Sequence, residues 1–189
     1  MKYNLERKTN RFAKRTLTAF SSTMFQLLEK KNFETIMVNE ICEISNYPRA
    51  TFYNYFDDKY DLLEYCWSVL QDKMDLGDYK EFEPEKRLYE IFNRIYDFLS
   101  LNEKKLLQIL RVNEIDGELL TNFRIYTKGQ ILQIMENCSC SQTCEIPYKI
   151  IAEHYCNTVM LVLEWCFLRD ERLSKIKAHE YLAYLLKDI

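Results

Sequence analysis

The stretch Ile41-Cys42-Glu43-Ile44-Ser45-Asn46-Tyr47-Pro48-Arg49-Ala50-Thr51-Phe52-Tyr53-Asn54-Tyr55-Phe56, followed after Asp57 by Asp58-Lys59-Tyr60-Asp61-Leu62-Leu63, reads as two short helices around a tight turn. Val38, Ile41 and Cys42 stand at helical spacing and form one apolar stripe on the first helix. Asn46 then breaks the chain, because asparagine is, after glycine, the residue that most readily enters the left-handed conformation that closes a helix. Pro48 opens the next helix. Its ring fixes φ, its missing N–H would be unpaired in a first turn anyway, and it drives Tyr47 into an extended conformation. Residues 38–56 therefore cannot form one continuous helix, and the two pieces must meet at an angle as a helix-turn-helix.

On the second helix Phe52 and Phe56 lie four apart and share a face, which can pack on Ile41 and on the long helix before the motif. The opposite face carries Ala50 and Asn54, flanked by Arg49 and Tyr53 on one side and by Thr51 and Tyr55 on the other. A small residue at Ala50 permits close backbone approach to a groove of double-stranded DNA, and the hydroxyl, amide and guanidinium groups around it can reach base edges or phosphate oxygens. Arg49 is the first candidate for base reading, because a planar guanidinium matches the paired acceptors of guanine. The hydroxyls of Thr51 and Tyr53 and the ammonium of Lys59 suit phosphates instead. Asn39, Pro48, Asn54 and Tyr55 complete the candidate DNA-binding surface. Phe52 and Phe56 are assigned to the core, while the polar tips of Tyr53 and Tyr55 suit a wet surface.

From about Arg15 to Leu63 the chain resembles the DNA-binding domain of the tetracycline-repressor (TetR) family of transcription regulators. The resemblance runs through Phe20, Met24 and Leu28 of the first helix, Phe33, and the segment Val38-Asn39-Glu40-Ile41-Cys42. It is most specific over Thr51-Phe52-Tyr53-Asn54-Tyr55-Phe56 with Lys59 and Asp61-Leu62-Leu63. The family usually has glycine where Asn32 and Asn46 stand, a small hydroxyl residue where Met37 stands, and often serine where Pro48 stands. Met37 cannot accept a capping hydrogen bond, which leaves Thr35 or water as the expected cap of the second helix. The resemblance implies an all-α protein with an N-terminal three-helix DNA-binding domain over residues 1–60. A C-terminal helical bundle over residues 61–189 would bind a ligand and dimerise. It implies a ligand-responsive repressor, acting in the cytoplasm as a homodimer.

Composition agrees with the all-α reading. The 189 residues are 48% hydrophobic, enough for a substantial core, and only three glycines and three prolines interrupt them. Pro48, Pro84 and Pro147 each mark a helix start, Pro84 after the acidic linker 78–83. Charge is uneven: the first 60 residues carry ten Lys or Arg against seven Asp or Glu, while the remaining residues carry sixteen against twenty-two. Lys2, Arg7, Lys8, Arg11, Lys14 and Arg15 sit among the first twenty residues with Glu6 as the single acid. A basic end on an acidic protein attracts phosphate to one face and repels it from the rest.

Beyond Tyr60 the helical period continues through Leu63, Cys66, Trp67, Leu70 and Met74, on a helix that links the two parts of the chain. Further helices carry Leu88, Ile91, Phe92, Ile95 and Leu99; then Leu106, Leu107 and Leu110; then Phe123, Tyr126, Leu132 and Met135 between about Glu118 and Glu136. The segment Ile150 to Phe167 is apolar almost all round and needs burial on two sides, one against its own domain and one against a second subunit. The last helix, with Ile176, Leu182, Leu185 and Leu186, can complete that interface, and two-fold symmetry predicts a palindromic or near-palindromic operator. Trp67, Phe92, Tyr96, Phe123, Tyr126, Met160 and Trp165 are the candidate pocket for an unidentified small-molecule effector, with core packing as the competing role for each.

Seven cysteines raise a rival mechanism in which Cys138, Cys140 and Cys144 bind a metal or sense oxidation, although Cys-x-Cys-x3-Cys is not a zinc spacing and no histidine adjoins it. Cys42, Cys66, Cys156 and Cys166 fall on apolar faces and read as small core residues. No cofactor is expected. Enzymatic function finds no support: His154 and His179 are the only histidines, no glycine-rich phosphate loop exists, and His154 and Cys156 point to different sides of a helix. Glu153, His154, Asn157 and Glu164 interrupt the longest apolar stretch, so no membrane span is expected. A helical interaction module without DNA binding is the remaining alternative.

Overall fold

A computed structural model describes residues 11–76, 84–136, 146–169 and 172–186. It contains α1 (Arg11–Leu28), a 3-10 turn (Phe33–Thr35), α2 (Val38–Ser45), α3 (Arg49–Tyr53), α4 (Lys59–Lys73), α5 (Pro84–Leu101), α6 (Glu103–Val112), α7 (Glu118–Glu136), α8 (Tyr148–Phe167) and α9 (Lys175–Leu185). No strand occurs among the described residues, so the all-α class is the class observed.

The chain forms two compact units. The first takes residues up to Leu70 together with Lys104–Leu120, and the second takes Gln71–Glu103 with residues from Thr121 onward. Compactness thus divides the chain differently from the 60/61 boundary taken from the sequence. Most of α4 stays with the helix-turn-helix, and so do α6 and the first turn of α7.

In the first unit the apolar period of α1 buries Leu17, Phe20, Met24, Leu27 and Leu28. Phe20 is the centre of an aromatic cluster, 5.4 Å and nearly edge-on to Phe52, 6.3 Å from Phe56 and 5.4 Å from Tyr47. Phe20, Phe52 and Phe56 are fully buried. Each such ring stabilises the fold by roughly 2–3 kcal/mol through burial alone. Asp58 caps α4 by accepting from the backbone N–H of Tyr60 and Asp61, and the Asp61 carboxylate reaches back to the N–H of Asp57.

Asn113, at the end of α6, fastens the corner between α6 and α7 to the rest of this unit. Its Oδ1 accepts from the Phe33 N–H at 2.8 Å, and its Nδ2 donates to the carbonyls of Leu28 at 3.2 Å and Ile109 at 2.9 Å. The side chain is buried, and all three bonds answer backbone groups near helix ends. The Tyr60 hydroxyl donates to Glu118 in the first turn of α7, which pushes the phenol's pKa up to about 12.

In the second unit α8 buries Ile151, Ala152, Cys156, Val159, Val162, Leu163, Cys166 and Phe167 and leaves Ile150, Leu161 and Trp165 exposed. The helix that reads as apolar all round therefore has one apolar edge uncovered in the single chain. Side chains of α9 and the segment before it meet α5 and the start of α6 in a ladder. Arg172 pairs with Glu103, Lys175 with Asp97 at 2.5 Å, and His179 Nε2 meets Asn93 Oδ1 at 2.6 Å while its ring stacks on Tyr89. Because the α5 partners descend in number as those of α9 rise, the two helices run antiparallel.

Candidate nucleic-acid interface

The turn between α2 and α3 has the geometry its residues dictate. Asn46 is left-handed, with φ 58° and ψ 43°, and its N–H closes onto the carbonyls of Cys42 and Glu43. Pro48 is extended at φ −61° and ψ 147° and stands as the cap immediately before α3. No side chain caps α2 at Met37. Of the two caps expected there, Thr35 is engaged elsewhere: its hydroxyl donates to the Asn32 carbonyl at 2.8 Å and closes the 3-10 turn. Asn32 Oδ1 accepts from the Glu34 N–H at the front of the same turn.

With Phe52 and Phe56 at zero exposure, the other side of α3 is turned outward. Asn39, Pro48, Arg49, Ala50, Tyr53 and Asn54 are exposed, and Thr51 and Tyr55 are half-buried. All eight thus keep surface available. α3 ends at Tyr53, a turn earlier than the sequence suggests, yet Phe56 N–H still bonds the Phe52 carbonyl at 3.0 Å and keeps the two rings in helical register. The Arg49 guanidinium lies over the Tyr53 ring at 5.7 Å, and its Nη2 donates to the Tyr53 hydroxyl at 3.3 Å. Arg11, Lys14 and Arg15 are exposed on the first half of α1.

Lys59, read from the sequence as facing phosphate, also has a structural role. Its ammonium donates to the carbonyls of Phe33 at 3.0 Å and Glu34 at 2.7 Å and lies 4.7 Å from the Phe33 ring centre. Two of its three N–H groups are committed to closing the 3-10 turn. Burial lowers its pKa, opposed by the nearby carboxylates of Glu118, Glu34 and Asp58.

Among the candidate effector residues of the second unit, Met160 and Trp165 border different hollows. Trp67 is buried in the first unit, whereas Phe92, Tyr96, Phe123, Tyr126, Met160 and Trp165 belong to the second. Within the second unit Phe92 and Tyr96 are neighbours at 6.0 Å, and Tyr96 meets Phe167 at 5.0 Å. Met160 instead borders an open concavity of about 430 Å³ between α7 and α8, crossed by the Arg124–Glu164 ion pair at 2.5 Å. Trp165 is exposed and borders an apolar groove with Leu161, Val162, Leu173, Tyr181, Tyr184 and Leu185. A helical period identifies which residues face inward but not which inward faces meet, and α8 uses Met160 and Trp165 on different sides. The sequence reading also missed a polar cluster at the end of α4. There Tyr126 donates to Gln71 Oε1 at 2.6 Å and Gln71 donates to Gln130 at 3.0 Å. A glutamine spaced with Trp67 and Leu70 was the available signal.

Cys42, Cys66, Cys156 and Cys166 are buried thiols, as expected. Cys138, Cys140 and Cys144 lie outside the described residues, and among the described residues no group of three His, Cys, Asp or Glu side chains could hold a metal. No helix there is long and apolar enough to cross a membrane.

Neither a protein-family model nor a curated protein sequence matches the chain. Solved structures do. The chain is similar to a protein of Syntrophomonas wolfei provisionally assigned as a TetR-family transcriptional regulator, with 17% identity over 91% of this chain and 93% of the other and a TM-score of 0.64. It is also similar to a Clostridium perfringens protein provisionally assigned as a fatty acid metabolism regulator, with 19% identity over 90% and 98% and a TM-score of 0.55. The fold is that of TetR-family regulators, a helix-turn-helix head followed by a helical body.

Proposed function

We propose that this chain is a sequence-specific DNA-binding transcription regulator. It works as a homodimer, represses from a palindromic or near-palindromic operator, and answers to a small molecule bound by the second unit. The observation that carries the reading is the division of α3 into two faces. Phe52, with Phe56 just beyond the helix, is sunk into the aromatic cluster around Phe20, while Arg49, Ala50, Thr51, Tyr53 and Asn54 retain exposed surface. A helix held in this way, with its N-terminal residues exposed, is the arrangement that enters a major groove. Arg49, the first residue of α3, is in the best position to meet base edges.

Dimerisation is supported by the apolar groove along α8 and α9, where Leu161, Trp165, Tyr181, Tyr184 and Leu185 are all exposed. A continuous apolar surface of this kind favours a partner, and a second copy brings the self-complementary patch that two-fold symmetry needs. The structural neighbours are described as regulators, in keeping with a non-enzymatic role in the cytoplasm, where the operator would be met.

Selection of bound sites from a random DNA pool tests this directly, followed by mobility measurements on the selected site at several salt concentrations. The expected outcome is a pair of inverted half-sites about one helical turn apart, with affinity falling log-linearly as salt rises. Enrichment of no sequence, with sedimentation showing a well-folded protein, would instead indicate a helical interaction module that does not read DNA.

A further inference from the structure

We propose that Tyr53 is the positioning residue for base discrimination by Arg49, holding the guanidinium in a reading posture before DNA arrives. The inference rests on the DNA-reading function proposed above. Arg49 and Tyr53 are four apart on α3, so their side chains rise from the same face, and both are exposed. The guanidinium is tied to the tyrosine twice, by its position over the ring at 5.7 Å and by the bond from Nη2 to the hydroxyl at 3.3 Å. Tyr53 is itself placed by Phe52, whose buried ring meets it edge-on at 5.5 Å. The chain of support runs from the aromatic core through Phe52 and Tyr53 to the charged tip of Arg49.

An arginine is a rotamer-rich reader, and ordering it on binding opposes affinity. A bidentate contact to guanine needs the planar fork at one angle and one depth. The Tyr53 ring and hydroxyl limit where the guanidinium lies, and the single bond to the hydroxyl leaves other N–H donors of the fork for the base. Tyrosine at this position thereby contributes to specificity without touching the base.

The test uses the full-length protein with Arg49→Ala, Tyr53→Ala, Tyr53→Phe and the double variant Arg49→Ala/Tyr53→Ala. Binding is measured to the selected operator and to operators altered at each half-site position. Arg49→Ala identifies the base pair it reads. At that base pair Tyr53→Ala is expected to cut discrimination about two- to fivefold, the scale of an exposed cation–π contact. Tyr53→Phe should retain part of that discrimination, and adding Tyr53→Ala to Arg49→Ala should change it no further. In the absence of DNA, relaxation of the Arg49 Nε–H should report a more mobile side chain in Tyr53→Ala than in the parent protein.

If Tyr53→Ala instead weakens every sequence equally, with or without Arg49, Tyr53 is a phosphate contact and the inference is overturned while the regulator reading stands. Unchanged Arg49 mobility in Tyr53→Ala overturns it as well. A parent protein that selects no sequence at all removes the DNA-reading function, and this inference with it.

Discussion

Lys59 shows how a residue in a recognisable motif can carry a structural role as well. Its ammonium closes the 3-10 turn through the Phe33 and Glu34 carbonyls, so Lys59→Ala is expected to destabilise the first unit by about 1–2 kcal/mol. It should lower affinity for all DNA sequences alike through that instability. Thermal melts set beside the salt slope of binding separate this from a lost phosphate contact, which would lower the slope by about one ion and leave the melt unchanged. The buried thiols give a second residue-scale prediction. Burial pushes Cys156 and Cys166 up to about 11, so near pH 8 both are protonated and shielded. Alkylation of the native protein followed by peptide mapping should leave both unmodified until denaturant is added; rapid labelling of either in the native state would contradict its packing.

At the scale of elements, the corner between α6 and α7 depends on one side chain. Asn113→Ala leaves the buried Phe33 N–H without its acceptor and the Leu28 and Ile109 carbonyls without that donor, at an expected cost of about 2–3 kcal/mol measured by urea denaturation. Tyr60 and Glu118 join α4 to the first turn of α7, and the raised phenol pKa fixes the sign of a pH effect. Its stabilising contribution is complete below the ordinary tyrosine value of about 10 and is lost as pH rises through about 12. Tyr60→Phe should therefore lose stability most clearly at neutral pH and converge with the parent protein in that alkaline window.

These helices were legible from the chain because their period is strong and their ends carry punctuation: Asn46 and Pro48 around the turn, Pro84 and Pro147 before α5 and α8. The outward face of α3 was legible for the same reason, since Phe52 and Phe56 fix which side is in. The Asn113 and Tyr60 contacts were not. Each joins residues 58 to 85 positions apart, and a lone asparagine after Val112 reads locally as nothing more than a helix end. That Met160 and Trp165 border different hollows was not legible either, because periodicity within one helix carries no information about the azimuth of its neighbours.

For the whole molecule, the uncovered edge formed by Leu161, Trp165, Tyr181, Tyr184 and Leu185 makes association the expected state. Leu161→Lys places a charge in that edge without disturbing a buried residue, and sedimentation should show a shift from dimer to monomer with the helical content intact. A variant that remained dimeric would move the interface elsewhere.

The first unit has a further property that follows from Asn113. Its polypeptide leaves at Leu70 and returns only at Lys104–Leu120, so a piece cut after α4 is an unfinished object. On the ribosome, the Phe33 amide would wait for a partner synthesised eighty residues later. Anyone grafting this helix-turn-helix unit onto another body would need to transplant the returning segment too, since the portable part is discontinuous along the gene.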